Sequence, residues 1–296
     1  MDLLTTLRRV KHGAMVLRKR LRPRAVAARD VVYRGRAQVS AFVYDDDHYR
    51  DPRGYHAFDH FLDRDAPPHM VSPDLADPPR VLFVLWTGHN EMSEARRAGV
   101  EAIRRINADL EVRLVTPDNL DEHLVPDHPL HPAYELLSLV HRSDYLRCYL
   151  MHHVGGGYTD VKRPHHPWSP VWAEFEDPEV WMVGQPEVDS DLVANLHGRL
   201  GRDVRQQFAR LSINSSFVMR PRTPLTAEWY DEVQRRMDYY SRDLERFPAV
   251  DPMGTSGGYR VTWIALQSQV LHPLQLKHLS HVRTDDRLTV DLHDYR

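Results

Sequence analysis

SDYLRCYLMHHVGGGYTDVKRP, residues 143–164, holds a helix, a stop and a strand in one short run. Ser143 to Val154 lacks proline and glycine and is predicted to be helical. Gly155, Gly156 and Gly157 end it, because glycine takes the left-handed backbone that closes a helix without steric cost. The chain is then predicted to re-emerge as a short strand, Tyr158 to Val161. Asp144 and Arg147 are three residues apart and share a helix face as a hydrogen-bonding pair. Along the strand Tyr158, Asp160 and Lys162 alternate onto one side, opposite Thr159 and Val161. A carboxylate and an ammonium leaving the carboxyl end of a buried strand are well placed for a ligand in the crevice of an open α/β sheet.

The flanking sequence supplies such a sheet. Val81 to Trp86 (VLFVLW) is a continuous apolar run, the mark of a strand buried on both faces. A helix over Glu91 to Asn107 and a strand over Glu111 to Val115 complete a βαβ unit with an expected right-handed crossover. Further elements are predicted as a helix from Pro132 to about Val140, strands Val180 to Val183 and Ser216 to Met219, and helices Pro224 to Arg246 and Arg260 to Leu271. The fold class is therefore α/β, a mixed and mostly parallel sheet flanked by helices over residues 80–296. Residues 37–79 read as an irregular connection containing a short strand, Val39 to Tyr44.

The parts Ser143-Asp144-Tyr145-Leu146-Arg147, Gly155-Gly156-Gly157-Tyr158 and Asp160-Val161-Lys162 occur in fixed order. Together they resemble the DXD-motif sugar transferases of glycosyltransferase family 32 and the related capsular polysaccharide synthesis proteins. Trp86 followed by Thr87-Gly88 is similar to the end of that family's first strand, and Ile213-Asn214-Ser215-Ser216 to the start of a later one. The resemblance spans residues 80 to about 220 and implies a GT-A-type, Rossmann-like fold. It implies a retaining hexosyltransferase that moves a sugar from a nucleotide-sugar donor to a saccharide or lipid-linked saccharide acceptor in capsule or surface polysaccharide synthesis. By the same resemblance Trp86 and Tyr158 contact the nucleotide, with Trp86 stacking on the base. Asp144, Arg147 and Asn214 then contact the donor sugar, and Asp160 is the first acid of the motif. No carboxylate stands out as a nucleophile, and the implied mechanism is a front-face displacement.

The sequence departs from this pattern at Lys162, which stands where the second acid would ligate Mn²⁺ or Mg²⁺. A protonated lysine cannot coordinate a hard cation. Two arrangements are open: a metal held by Asp160, diphosphate oxygens and a remote side chain such as His272, or a Lys162 ammonium that itself neutralises the leaving diphosphate. A catalytically silent domain that binds nucleotide sugar or glycan is the alternative function, and a histidine-rich metal hydrolase a more distant one. The Gly254–Gly258 loop, read as preceding a helix, is either a phosphate cradle or a plain connection. His152-His153 and His165-His166 lack a spaced third ligand for zinc, and Asp45-Asp46-Asp47 reads as a solvated loop.

Charge is unevenly distributed. Residues 1–36 hold eleven Arg or Lys against Asp2 and Asp30, a surplus of nine positive charges; with a net charge of −3, the other 260 residues carry −12. This balance points to an anionic partner for the tail alone and away from a nucleic-acid-binding core. Leu3, Leu7, Val10, Ala14, Leu17 and Leu21 form one stripe of an amphipathic helix over residues 1–22, ended by Pro23. That helix either packs on protein or lies on an anionic membrane surface. No run of about 18 apolar residues is present, and the single cysteine, Cys148, fits a reducing compartment. The expected location is the cytoplasm, with a peripheral position at the inner face of the membrane if the helix lies on lipid.

Overall fold

The computed structural model describes residues 23–39, 42–49 and 61–291. The expected helix over residues 1–22 lies outside the described residues. Among the described residues six strands form one sheet: β1 (Val81–Leu85), β2 (Glu111–Val115), β3 (Gly156–Thr159), β4 (Met182–Pro186), β5 (Ser212–Met219) and β6 (Val282–Thr284). They lie in the order β2-β1-β3-β5-β4-β6. β1 is parallel to both β2 and β3, and β4 is parallel to β6. β5 runs antiparallel to both β3 and β4, so it is the one reversed strand, and β4 points the same way as β1 and β3. The helices are α1 (23–39), α2 (Glu94–Ile106), α3 (Leu139–His153), α4 (Gly198–Gln206), α5 (Pro224–Arg246) and α6 (Ser268–Lys277).

The apolar run in β1 is continuous because the sheet is covered on both sides. Val81, Phe83 and Leu85 join Tyr158, Phe217 and Met219 in a cluster packed against α3, α5 and α6. Leu82 and Val84 point the other way and join Val183 and Val218 with Val100 and Ile103 of α2 and Trp168 and Trp172 beyond β3. Each face therefore removes its own apolar set from water, at ~25 cal/mol per Å² buried.

Several predicted elements differ. Val39 is helical and residues 42–45 form no strand; the apolar alternation there serves contact with the core, since Phe42 and Tyr44 pack against it. Residues 132–140 do not form one helix. A short turn of helix, Tyr134–Leu136, is separated from α3 by extended Leu137 and Ser138, and Ser138 Oγ caps α3 by accepting from the His141 N–H. Residues 260–267 are turns, and α6 starts at Ser268 and runs through Pro273. The sequence reading did not find α4 and β6. β6 is only three residues long, too short for a periodic signal.

Candidate functional site

β1 and β3 end side by side, and a cavity of about 680 Å³ opens just beyond them. Trp86, Thr87 and Gly88 follow β1, Tyr158 and Asp160 come from β3 and its exit, and Ser93 and Arg96 come from the first turn of α2. Leu139, Val140, Ser143 and Arg147 are presented by α3, and Pro252, Met253 and Trp263 form the opposite wall. This is the carboxyl-end crevice of parallel strands, where open α/β sheets receive ligands. The walls are tied together: Thr87 Oγ1 donates to the Leu139 carbonyl at 2.7 Å, and the Val140 N–H donates to the Pro252 carbonyl at 3.3 Å.

A linked set of polar groups forms the floor. Arg147 Nη2 donates to Tyr158 Oη at 2.8 Å, and Tyr158 Oη donates to Asp160 Oδ1 at 2.7 Å. Lys162 Nζ lies 2.9 Å from Asp160 Oδ2, so both carboxylate oxygens are engaged. The glycine stop makes this convergence possible. Gly155 and Gly156 have φ of 73° and 95°, and a Cβ on Gly156 would come within 2.9 Å of the Val81 carbonyl oxygen. The chain thus turns hard from the end of α3 into β3 beside β1, returning Asp160 to the face of Arg147. Tyr158 Oη and Asp160 meet as their alternation predicts, while Val161 goes to the opposite core.

The two acids are perturbed in opposite senses. Burial raises Asp144 from its ordinary 3.8 to about 6, with Asp160 adding to the rise and Arg147, 3.6 Å away, opposing it. Burial also works to raise Asp160, but Lys162, Arg147 and the Tyr158 hydroxyl outweigh it and hold Asp160 below the usual carboxylate range. Tyr158 is pushed up by burial and stays a phenol. At neutral pH the floor carries two cations and two carboxylates, with the Asp144 side chain nearly buried behind Arg147.

Trp86, Tyr158, Arg147 and Asp160 therefore share one cavity, with Asp144 and Lys162 bonded to its floor. Asn214 stands one layer back. Its carbonyl accepts from Arg147 Nη1 at 2.5 Å and its amide donates to Ser268 Oγ, so it positions Arg147 and does not line the cavity. His272 is not brought here. It belongs to α6, and its ring is fully buried where Nδ1 accepts from the Ala194 N–H at 2.9 Å and Nε2 lies 3.3 Å from Glu187 Oε1. Among the described residues no group of three His, Cys, Asp or Glu side chains is placed to hold a metal ion. In the 254–258 loop the N–H groups of Thr255 and Ser256 donate to the Asp251 carboxylate, and the next helix starts only at Ser268.

Sequence reasoning missed Arg96, Met253 and Trp263. Arg96 is helically spaced like any surface arginine, and Trp263 is one aromatic after a glycine-rich turn; only the fold brings them to the cavity. Among the described residues no helix is long and apolar enough to cross a membrane. Compared with known proteins, the chain matches no family model, no curated protein and no solved structure.

Proposed function

We propose that the chain is a GT-A-type glycosyltransferase that takes a sugar from a nucleotide-sugar donor and retains its anomeric configuration. The observation that carries this reading is the Arg147–Tyr158–Asp160 set at the carboxyl end of β3, which lines a cavity with Trp86 and is backed by Lys162 on Asp160. One reversed strand, β5, in an otherwise parallel sheet is in keeping with a GT-A-type domain. The base stacks on Trp86. The diphosphate lies near Arg96, Lys162 and the amino-terminal turns of α2 and α3, whose helix dipoles favour anions. The sugar lies over Arg147 and Asp144. The acceptor hydroxyl attacks the anomeric carbon from the face the diphosphate leaves. The carbon–oxygen bond to the diphosphate breaks, and the hydroxyl proton passes to a diphosphate oxygen. The acceptor is a saccharide or lipid-linked saccharide of a surface polymer.

The residues do not fit a divalent cation of the DXD kind. Asp160 is the one motif carboxylate, its two oxygens are already bonded to Tyr158 and Lys162, and an ammonium stands where the second oxygen ligand belongs. Lys162 then supplies the positive charge that stabilises the leaving diphosphate. The same ion pair favours the second reading, a domain that binds donor without turnover. Incubation with UDP-, GDP- and CMP-sugars separates these readings, following donor hydrolysis and thermal stability together. Hydrolysis of one donor is the expected result. Stabilisation without hydrolysis supports the silent domain, and neither response overturns both.

A further inference from the structure

Helix α1 is docked by one face and bare on the other. Successive residues turn by about 100° around a helix, which puts Asp30, Tyr33 and Ala37 on one side and Val31, Val32, Gly35 and Val39 on the opposite side. The first set is buried or half-buried. Ser190 Oγ donates to Asp30 Oδ1, Arg29 Nη2 is 2.9 Å from Asp191 Oδ1, and Arg34 Nη2 donates to the Val188 carbonyl at 3.1 Å. The outer set is apolar and open: Val31 is 71%, Val32 51% and Val39 87% exposed. Tyr33 packs against the core from the inner side, so the exposed valines form a second apolar set turned outward, which a surface helix does not need for its own docking.

We propose that the outer face of α1 lies on an anionic bilayer surface. Charge selects this occupant. Arg24 and Arg36 are exposed on α1, its one acid, Asp30, faces Ser190, and the 22 residues before it hold seven Arg or Lys against Asp2 alone. Apolar residues set among arginines are what an interfacial helix presents to lipid. A protein partner would need acidic groups instead. The placement also orients the molecule. β4 runs parallel to β1 and β3, so its carboxyl end, which leads into the 188–191 segment holding α1, lies on the same sheet edge as the cavity. The bilayer thus meets the protein at its ligand edge; that a lipid-linked acceptor is taken there rests on the glycosyl-transfer reading.

Sedimentation of the full-length chain with phosphatidylglycerol–phosphatidylcholine vesicles tests the docking without reference to activity. Val31→Asp, Val32→Asp and Val39→Asp together are expected to weaken partitioning at least ~10-fold, and Arg24→Ala with Arg36→Ala by about the same, since each basic group near an anionic surface is worth about fivefold. Raised salt should weaken wild-type binding, and vesicles of phosphatidylcholine alone should bind far less. An environment-sensitive dye on Val32→Cys, with native Cys148 buried, should shift to the blue on adding anionic vesicles even if the triple variant folds poorly. Unchanged sedimentation of the triple variant together with an unshifted dye overturns the proposal. So does a concentration-dependent dimer, seen by light scattering, that the triple variant abolishes while vesicle binding is unaltered.

Discussion

Asp144 and Asp160 both face Arg147, at 3.6 and 3.5 Å, yet their proton affinities move apart, and this separates their roles. Asp160 stays ionised across the working range. Asp144, raised to about 6 by burial, binds a proton in the folded state at pH values where the unfolded chain has released it. Its contribution to stability is therefore full below about 4 and declines as pH rises to about 6. On the proposed glycosyl-transfer reading the donor sugar is held by the ionised form, so kcat/KM should fall as pH drops through about 6. Asp144→Asn should lower turnover well over tenfold and remove that acid limb; a variant that keeps both rate and limb would return Asp144 to a structural role. Lys162→Ala should cut turnover by about 10²–10³, or ~3–4 kcal/mol, the scale for one preorganised charge on a leaving group. Wild-type activity should persist in EDTA. Complete loss in the chelator with rescue by Mn²⁺ would refute the lysine model. Trp86→Ala should weaken nucleoside diphosphate binding by roughly 1–3 kcal/mol in calorimetry, the scale of one base–aromatic stack.

At the scale of elements, the α3–β3 corner connects fold and site. Gly155 donates its N–H to the Leu150 carbonyl at 3.0 Å, and Gly156 passes between Val81 and Pro79 with no room for a side chain. Gly156→Ala should destabilise the protein by about 1–3 kcal/mol, since it combines a left-handed φ with a backbone clash. A melting temperature equal to wild type would show that the corner can relax. The same end of α3 carries His152, stacked on Tyr230 with ring centroids 4.9 Å apart, and His153, 4.4 Å from the His128 ring. Burial lowers His152 from 6.5 to about 3 and His153 to about 4, with neighbouring histidines and Arg222 adding to the depression. The folded state refuses protons that the unfolded chain accepts, so stability should fall as pH drops from about 6.5 towards 3–4. His152→Phe keeps an aromatic ring on Tyr230 and should flatten that acid slope in thermal melts. An unchanged slope would place the titration elsewhere. These elements were partly legible in the sequence: three adjacent glycines announce a stop and a sharp turn. Neighbouring residues did not announce that the helix expected from Ser143 starts four residues earlier, at Leu139, with Ser138 as its cap.

Across the whole molecule, the cavity joins β1, β3, α2, α3 and the 252–263 wall, so a ligand held there should stabilise all of them together. A nucleotide sugar at a hundred times its dissociation constant should add ~2.7 kcal/mol to unfolding, seen as one cooperative shift in melting. A fitting donor that is hydrolysed without any shift would argue against binding in this cavity. What the sequence alone determined was the α/β class, the β1–α2–β2 unit, the long α5 and, within each element, the pairing of Asp144 with Arg147 and of Tyr158 with Asp160. These rest on local periodicity and on spacings of two to three residues, which fix side-chain direction before any packing occurs. Only the tertiary structure decided that α1 binds the body through Asp30 and Tyr33, that Asn214 acts through Arg147, and that His272 is enclosed with Glu187 and Ala194. It also decided that Arg96 and Trp263 line the same cavity. Each of these depends on contacts between residues tens to hundreds of positions apart, where burial and charge pairing are properties of the assembled fold and carry no local signature in the chain.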